Sequence, residues 1–265
     1  MGHHHGHTRR DFFRRSFASV LAGASVFEEA FLRAGWARAQ AQTASTNLFT
    51  IEKVAEGVFA ALAKPQALTN SNAAIFILDR DVLVVDAHSK PSAAAALLAQ
   101  IKKEVTVKPV RYLVNSHFHW DHTQGDAAYK AASVKVEIIT SDATKQLMTE
   151  LQRDRLKESL ESVPGLIDAV RSRLSRATTA QEREWCNDQL RQLAAYQEEM
   201  KSYPLELPTV SFARTHVIKD PSGELQLAFN GKAHTAGDIQ VFSPSKKAVA
   251  TGDSLTARNN CSNRY

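Results

Sequence analysis

The feature that most narrows what this chain can fold into is an apolar strand running straight into a cluster of metal-ligand side chains. Val110 to Val114 reads as a buried strand, and Asn115-Ser116-His117-Phe118-His119-Trp120-Asp121-His122 follows at once, placing four potential ligands within six residues. Residues two apart in extended backbone face the same side, so His117 and His119 can converge on one ion. Asp121 and His122 fall where the chain turns and can address a second ion. Imidazole together with carboxylate suits Zn2+, with Fe or Mn also possible.

The surrounding pattern is that of an α/β layered fold. Leu48 to Leu62 has strand character, and Ile75-Phe76-Ile77-Leu78, Asp79-Arg80-Asp81 and Val82-Leu83-Val84-Val85 read as a hairpin whose strands are apolar enough to be covered on both faces. Pro91 and Ser92 open an Ala/Leu-rich helix to about Lys103, which Val110 to Val114 follows as the next strand. From about residue 142 to 203 the rhythm changes to long charged helices, read as a helical insertion broken at Pro164-Gly165 and around Thr178-Thr179. Thr179 and Glu182 form a capping box, and Cys186, Leu190, Leu193 and Met200 share an apolar stripe, which makes Cys186 a core residue. Strands resume after Pro208, with turns at Pro221-Ser222-Gly223 and Pro244-Ser245-Lys246 and a last pair at Ile239–Phe242 and Ala248–Thr251.

The sequence H-x-H-x-D-H at a strand end, followed by Gly125, resembles the signature of the metallo-β-lactamase superfamily. Three further segments agree with that resemblance: Ala233-His234-Thr235-Ala236-Gly237-Asp238, Val249-Ala250-Thr251-Gly252-Asp253, and Val85-Asp86 after a buried strand. It extends over about Leu48 to Leu255, apart from the insertion. The resemblance implies a four-layer αββα sandwich with the site at one edge. It also implies two zinc ions: His117, His119 and His234 on the first, and Asp121, His122 and the bridging Asp253 on the second. Asp86 is then a residue that fixes a ligand by hydrogen bond. The implied chemistry is hydrolysis by a metal-bound hydroxide, with Asp121 as the catalytic residue that orients the water and handles a proton.

For substrate, aspartate at position 253 resembles the thioesterase and lactonase branches, so a small ester, lactone or thioester is expected. Hydrolysis of β-lactam amides is the alternative. The family's final histidine, in a Gly-His-Gly-like motif, has no counterpart after His234, and the polar run to Tyr265 reads as a fold whose last part is missing. A metal-binding protein with impaired catalysis is therefore a second alternative. A flavin-linked di-iron relative would carry Glu in place of His119.

Residues 1–41 read as a signal peptide preceding a domain at 42–265. Thr8-Arg9-Arg10-Asp11-Phe12-Phe13-Arg14 leads into a modest apolar run, Phe17 to Phe27, and an Ala-Gln-Ala stretch ending at Ala41. This resembles a bacterial twin-arginine signal and implies a periplasmic or secreted protein. The apolar run falls well short of the roughly 20 residues that span a bilayer, so no membrane partner is expected. The net charge of +5 falls to +2 without residues 1–41, which gives nucleic acid binding no electrostatic support. Two cysteines, Cys186 and Cys261, are too few for a disulfide framework. His88 reads as structural, His216 lies in no motif, and Phe118 and Trp120 alternate with the ligands and pack beside them.

Overall fold

The computed structural model describes residues 48–64, 71–201 and 203–255. The expected signal segment, Cys261 and the polar run 256–265 lie outside them. The chain divides into two compact units, Gly165–Arg191 forming the described part of one and the described residues of 44–164 and 192–265 the other.

In the larger unit, β1 (Phe49–Ala55), β2 (Val58–Ala63), β3 (Ala73–Ile77) and β4 (Val82–Val85) form an antiparallel meander. The helix α1 (Pro91–Glu104) then crosses to β5 (Val110–Val114), which lies parallel to β4. Two short helices, α2 (Trp120–Thr123) and α3 (Asp126–Ala132), precede β6 (Glu137–Ser141), and β7 (Val210–Phe212) completes a seven-stranded sheet in sequence order. The smaller sheet is antiparallel: β8 (Thr215–Ile218), β9 (Leu225–Phe229), β10 (Ile239–Ser243) and β11 (Ala248–Ala250).

The β3–β4 hairpin is covered on both faces, as its composition predicts. Ile75, Val82 and Val84 pack with Ala94, Leu97 and Ile101 of α1 and with Ala128 and Tyr129 of α3. Phe76, Leu83 and Val85 alternate with them and pack, with Val114 and Ile139, against Ile218, Leu225, Leu227, Ile239 and Val241 of the smaller sheet. Full burial of each such side chain contributes roughly 1.5–3 kcal/mol, so both rows stabilise the central sheet. Helices, a mixed sheet and a second sheet face to face are the arrangement expected of the αββα sandwich. On the other face of the smaller sheet, Val249, Phe242, Gln226 and Val217 stand in one cross-strand row, its three apolar members exposed.

The insertion is two long helices, α4 (Asp142–Ser175) and α5 (Ala180–Met200). The expected break at Pro164-Gly165 does not occur: α4 runs through it. Proline removes one backbone donor and costs about 3 kcal/mol in a helix interior. The apolar face nonetheless continues past it, with Val163, Leu166 and Val170 all buried. The second break is present, and Thr179 caps α5 by accepting from the Glu182 N–H at 3.1 Å. The Glu182 carboxylate departs from the expected capping box and pairs with Arg173 at 3.3 Å. Cys186 is fully buried, in keeping with a core role.

Candidate metal centre

The ligand-type residues come from the strand ends and loops of both sheets. Parallel strands end in backbone groups that no crossover covers, which makes their C-terminal edge the usual binding edge of an α/β sheet. Here β4 is followed directly by Asp86, and β5 by the loop carrying His117 and His119, with Asp121 and His122 on α2. The β9–β10 loop supplies His234, and a turn of 3-10 helix after β11, Gly252–Ser254, supplies Asp253.

Backbone bonds lock these pieces together. Ile239 N–H donates to Ser116 O at 2.9 Å, and Ser141 Oγ and Thr144 Oγ1 donate to Gly237 O at 2.6 and 2.8 Å. The Asp238 carboxylate accepts from Thr235 N–H at 2.6 Å, setting the shape of the His234 loop. Gly252, at φ +53°, brings Asp253 in over Ser116, where a Cβ would lie 2.5 Å from Ser116 Oγ.

Two sets of ligand-type atoms result, each within 4.8 Å of one another: His117, His119 and His234, and His117, His122 and Asp253. Asp121 joins the second set less closely, its Oδ2 lying 3.6 Å from His122 Nε2; Asp253 Oδ2 lies at the same 3.6 Å. All six residues singled out in the sequence thus lie at one place. Asp253 is also 3.7 Å from His234 Nε2, which puts it between the two sets.

Burial and mutual repulsion keep His117 and His119 neutral. Burial, with the charges of His122 and His119, lowers the pKa of His117 to about 2. Burial, then His234 and Arg155, lowers that of His119 to about 3. His122 differs: burial alone would depress it, but Asp86 and Asp121, with Asp253, raise it well above its ordinary value. Contact with His122 holds Asp253 well below the usual carboxylate range against its burial. Burial raises the pKa of Asp121.

The donor set fits a divalent cation. His234 Nε2 and His119 Nδ1 face each other at 3.1 Å. Two ligand nitrogens on one tetrahedral zinc, with bonds of about 2.0–2.1 Å, stand about 3.3 Å apart. His117 Nε2 is buried without a hydrogen-bond partner. Neutral imidazoles turning bare lone pairs toward one point are costly unless a cation shares them.

Asp86 organises the cluster from behind. Its carboxylate accepts from Ser116 N–H at 2.8 Å and from Ser116 Oγ at 2.9 Å, and Oδ2 lies 2.9 Å from His122 Nδ1. Ser116 Oγ is in turn 3.0 Å from His117 Nδ1. One buried carboxylate therefore orients His122 directly and His117 through Ser116, turning both Nε2 atoms toward the site. Ser116 was not among the expected site residues; only its place beside His117 hinted at it. His88 is fully buried, with Nδ1 3.2 Å from both Ser71 Oγ and Ser71 O, and is structural. His216 lies on β8, its ring stacked on Phe212 at 5.8 Å. Phe118 is buried beside His119 at 4.8 Å, and Trp120 meets Tyr196 edge-on at 6.3 Å.

A family model described as the metallo-beta-lactamase superfamily matches residues 68–264, and the chain belongs to that superfamily. Among solved structures it is similar to one described as "Metallo-beta-lactamase from Pontibacter korlensis". The identity is 18% and the TM-score 0.49, with 76% of this chain and 69% of that chain covered. No curated protein matches the chain. Membership supports a metal-dependent hydrolase in general, acting on a small molecule. Among the described residues no helix is long and apolar enough to cross a membrane.

Proposed function

We propose that the protein is an exported hydrolase that uses two zinc ions to cleave a small ester, lactone or thioester. The observation that carries the reading is the pair of ligand sets sharing His117, with Asp253 between them. His117, His119 and His234 would hold one ion, and Asp121, His122 and Asp253 the other. Bound there, zinc supplies Lewis acidity toward a water and toward the substrate carbonyl oxygen.

The protein's own groups do the rest. Neutral His117 and His119 offer lone pairs without first losing a proton. Asp86 keeps His122 turned so that Nε2 faces Asp121 and Asp253. Asp121, with its pKa raised by burial, is suited to take a proton from the attacking water and return it to the leaving group. The aspartate at position 253 favours esters, lactones and thioesters over β-lactams. The N-terminal Arg-Arg segment supports export to the periplasm or beyond.

A panel of phenyl acetate, γ-butyrolactone, a thioester and nitrocefin, run before and after chelation, tests this. The reading expects chelator-sensitive turnover of at least one of the first three. Turnover of nitrocefin alone would replace it with the β-lactamase reading, and no turnover with zinc bound would make the chain a metal-binding protein.

A further inference from the structure

Arg155 lies on α4, in the part of that helix belonging to the same compact unit as the histidines. Its guanidinium carbon stands 4.6 Å from the centre of the Phe118 ring, and that ring is 4.8 Å from the His119 ring. Among the described residues nothing neutralises the guanidinium: Glu158, three residues along α4, acts on it without forming an ion pair.

Arg155 is exposed to solvent, so an anion bound there would take the place of water on the cation. The proposed metals would add positive charge to the same neighbourhood, so an anion between them and the guanidinium would be attracted from both sides. The guanidinium lies over the Phe118 ring, and among the described residues no hydrogen bond or ion pair engages its N–H groups. That geometry suits two-pronged recognition of an oxyanion, which lysine cannot reproduce.

We propose that Arg155 is a specificity-determining residue that receives an oxyanion, a carboxylate or a phosphoryl group, carried by the substrate beyond its scissile bond. The inference rests on the hydrolase reading and narrows it to anionic esters, lactones or thioesters. Through Arg155, α4 then delivers the charge that selects the substrate.

Three phenyl esters test it on the zinc-loaded protein: phenyl pentanoate, monophenyl glutarate and phenyl 4-phosphonobutanoate, which differ at the far end of the acyl chain. Wild-type protein is expected to prefer one anionic ester over the neutral one at least tenfold in kcat/KM, and the preferred ester tells carboxylate from phosphoryl. Arg155→Ala should cut that ratio tenfold through a higher KM for the anionic ester, and Arg155→Lys should restore it only in part. No anionic preference in the wild type, or a ratio unchanged by Arg155→Ala, would overturn the proposal. If none of the esters turns over, the hydrolase reading fails by itself. Calorimetric titration of glutarate then decides the oxyanion site: tenfold weaker binding in Arg155→Ala supports it, and equal binding overturns it.

Discussion

Replacing Asp86 by Asn removes one charge from the centre of the site while keeping its shape. Asp86 is buried and sits at φ +71°, a backbone region that asparagine tolerates better than most residues. One amide oxygen can still accept from Ser116 N–H. The new NH2, however, takes the place of the oxygen that lies 2.9 Å from both Ser116 Oγ and His122 Nδ1. Two donors then oppose each other at His122. The simplest relief is a tautomer change that makes Nδ1 the acceptor and moves the proton to Nε2, the atom facing Asp121 and Asp253. Disturbing such a supporting carboxylate lowers metal affinity about 10- to 100-fold, roughly 1.4–2.7 kcal/mol. Competition against a chromogenic zinc chelator measures it, and the weaker ion should be the one at the His122 set. Metal affinity within twofold of the wild type would refute the argument that Asp86 orients His122 for binding.

Two further perturbations follow from the same geometry. His88 is fully buried and its pKa is lowered by that burial to about 3, so the unfolded chain takes up a proton there below about pH 6.5 while the folded chain stays neutral. Its contribution to stability is intact above the unfolded pKa and falls with decreasing pH, by about 2 kcal/mol at pH 5. His88→Asn, which suits the φ of +68°, should remove that share of the acid sensitivity in urea melts at pH 7 and pH 5; an unchanged pH difference would contradict it. At Gly125 a Cβ would lie 1.8 Å from Ala87 O and 2.7 Å from Ala94 Cβ. Gly125→Ala must therefore displace backbone behind the metal loop and should cost about 3 kcal/mol or more, read as a fall in the urea midpoint.

Much of this arrangement is legible in the sequence because its signals are local. The strand that runs into the His117 and His119 loop, the apolar hairpin at 75–85 and the cap at Thr179 each depend on neighbours a few residues away. The proposed export rests on Arg9, Arg10 and the apolar run after them, which lie outside the described residues. Other features are set at long range. The path of α4 through Pro164 follows from the burial of Val163, Leu166 and Val170, which outweighs a local break. The place of Ser116 between Asp86 and His117 requires the segments after β4 and β5 to meet. Helical phase puts Arg155 on a face of α4 but cannot say that this face meets Phe118.

The central claim is that the shared cluster holds metal, and metal per chain tests it most directly. The purified protein, dialysed against zinc-free buffer and analysed by mass spectrometry, is expected to retain two zinc equivalents. His117→Ala, which touches both ligand sets, should reduce retention at both. Retention of no metal by the wild type, or full retention by His117→Ala, would contradict the account.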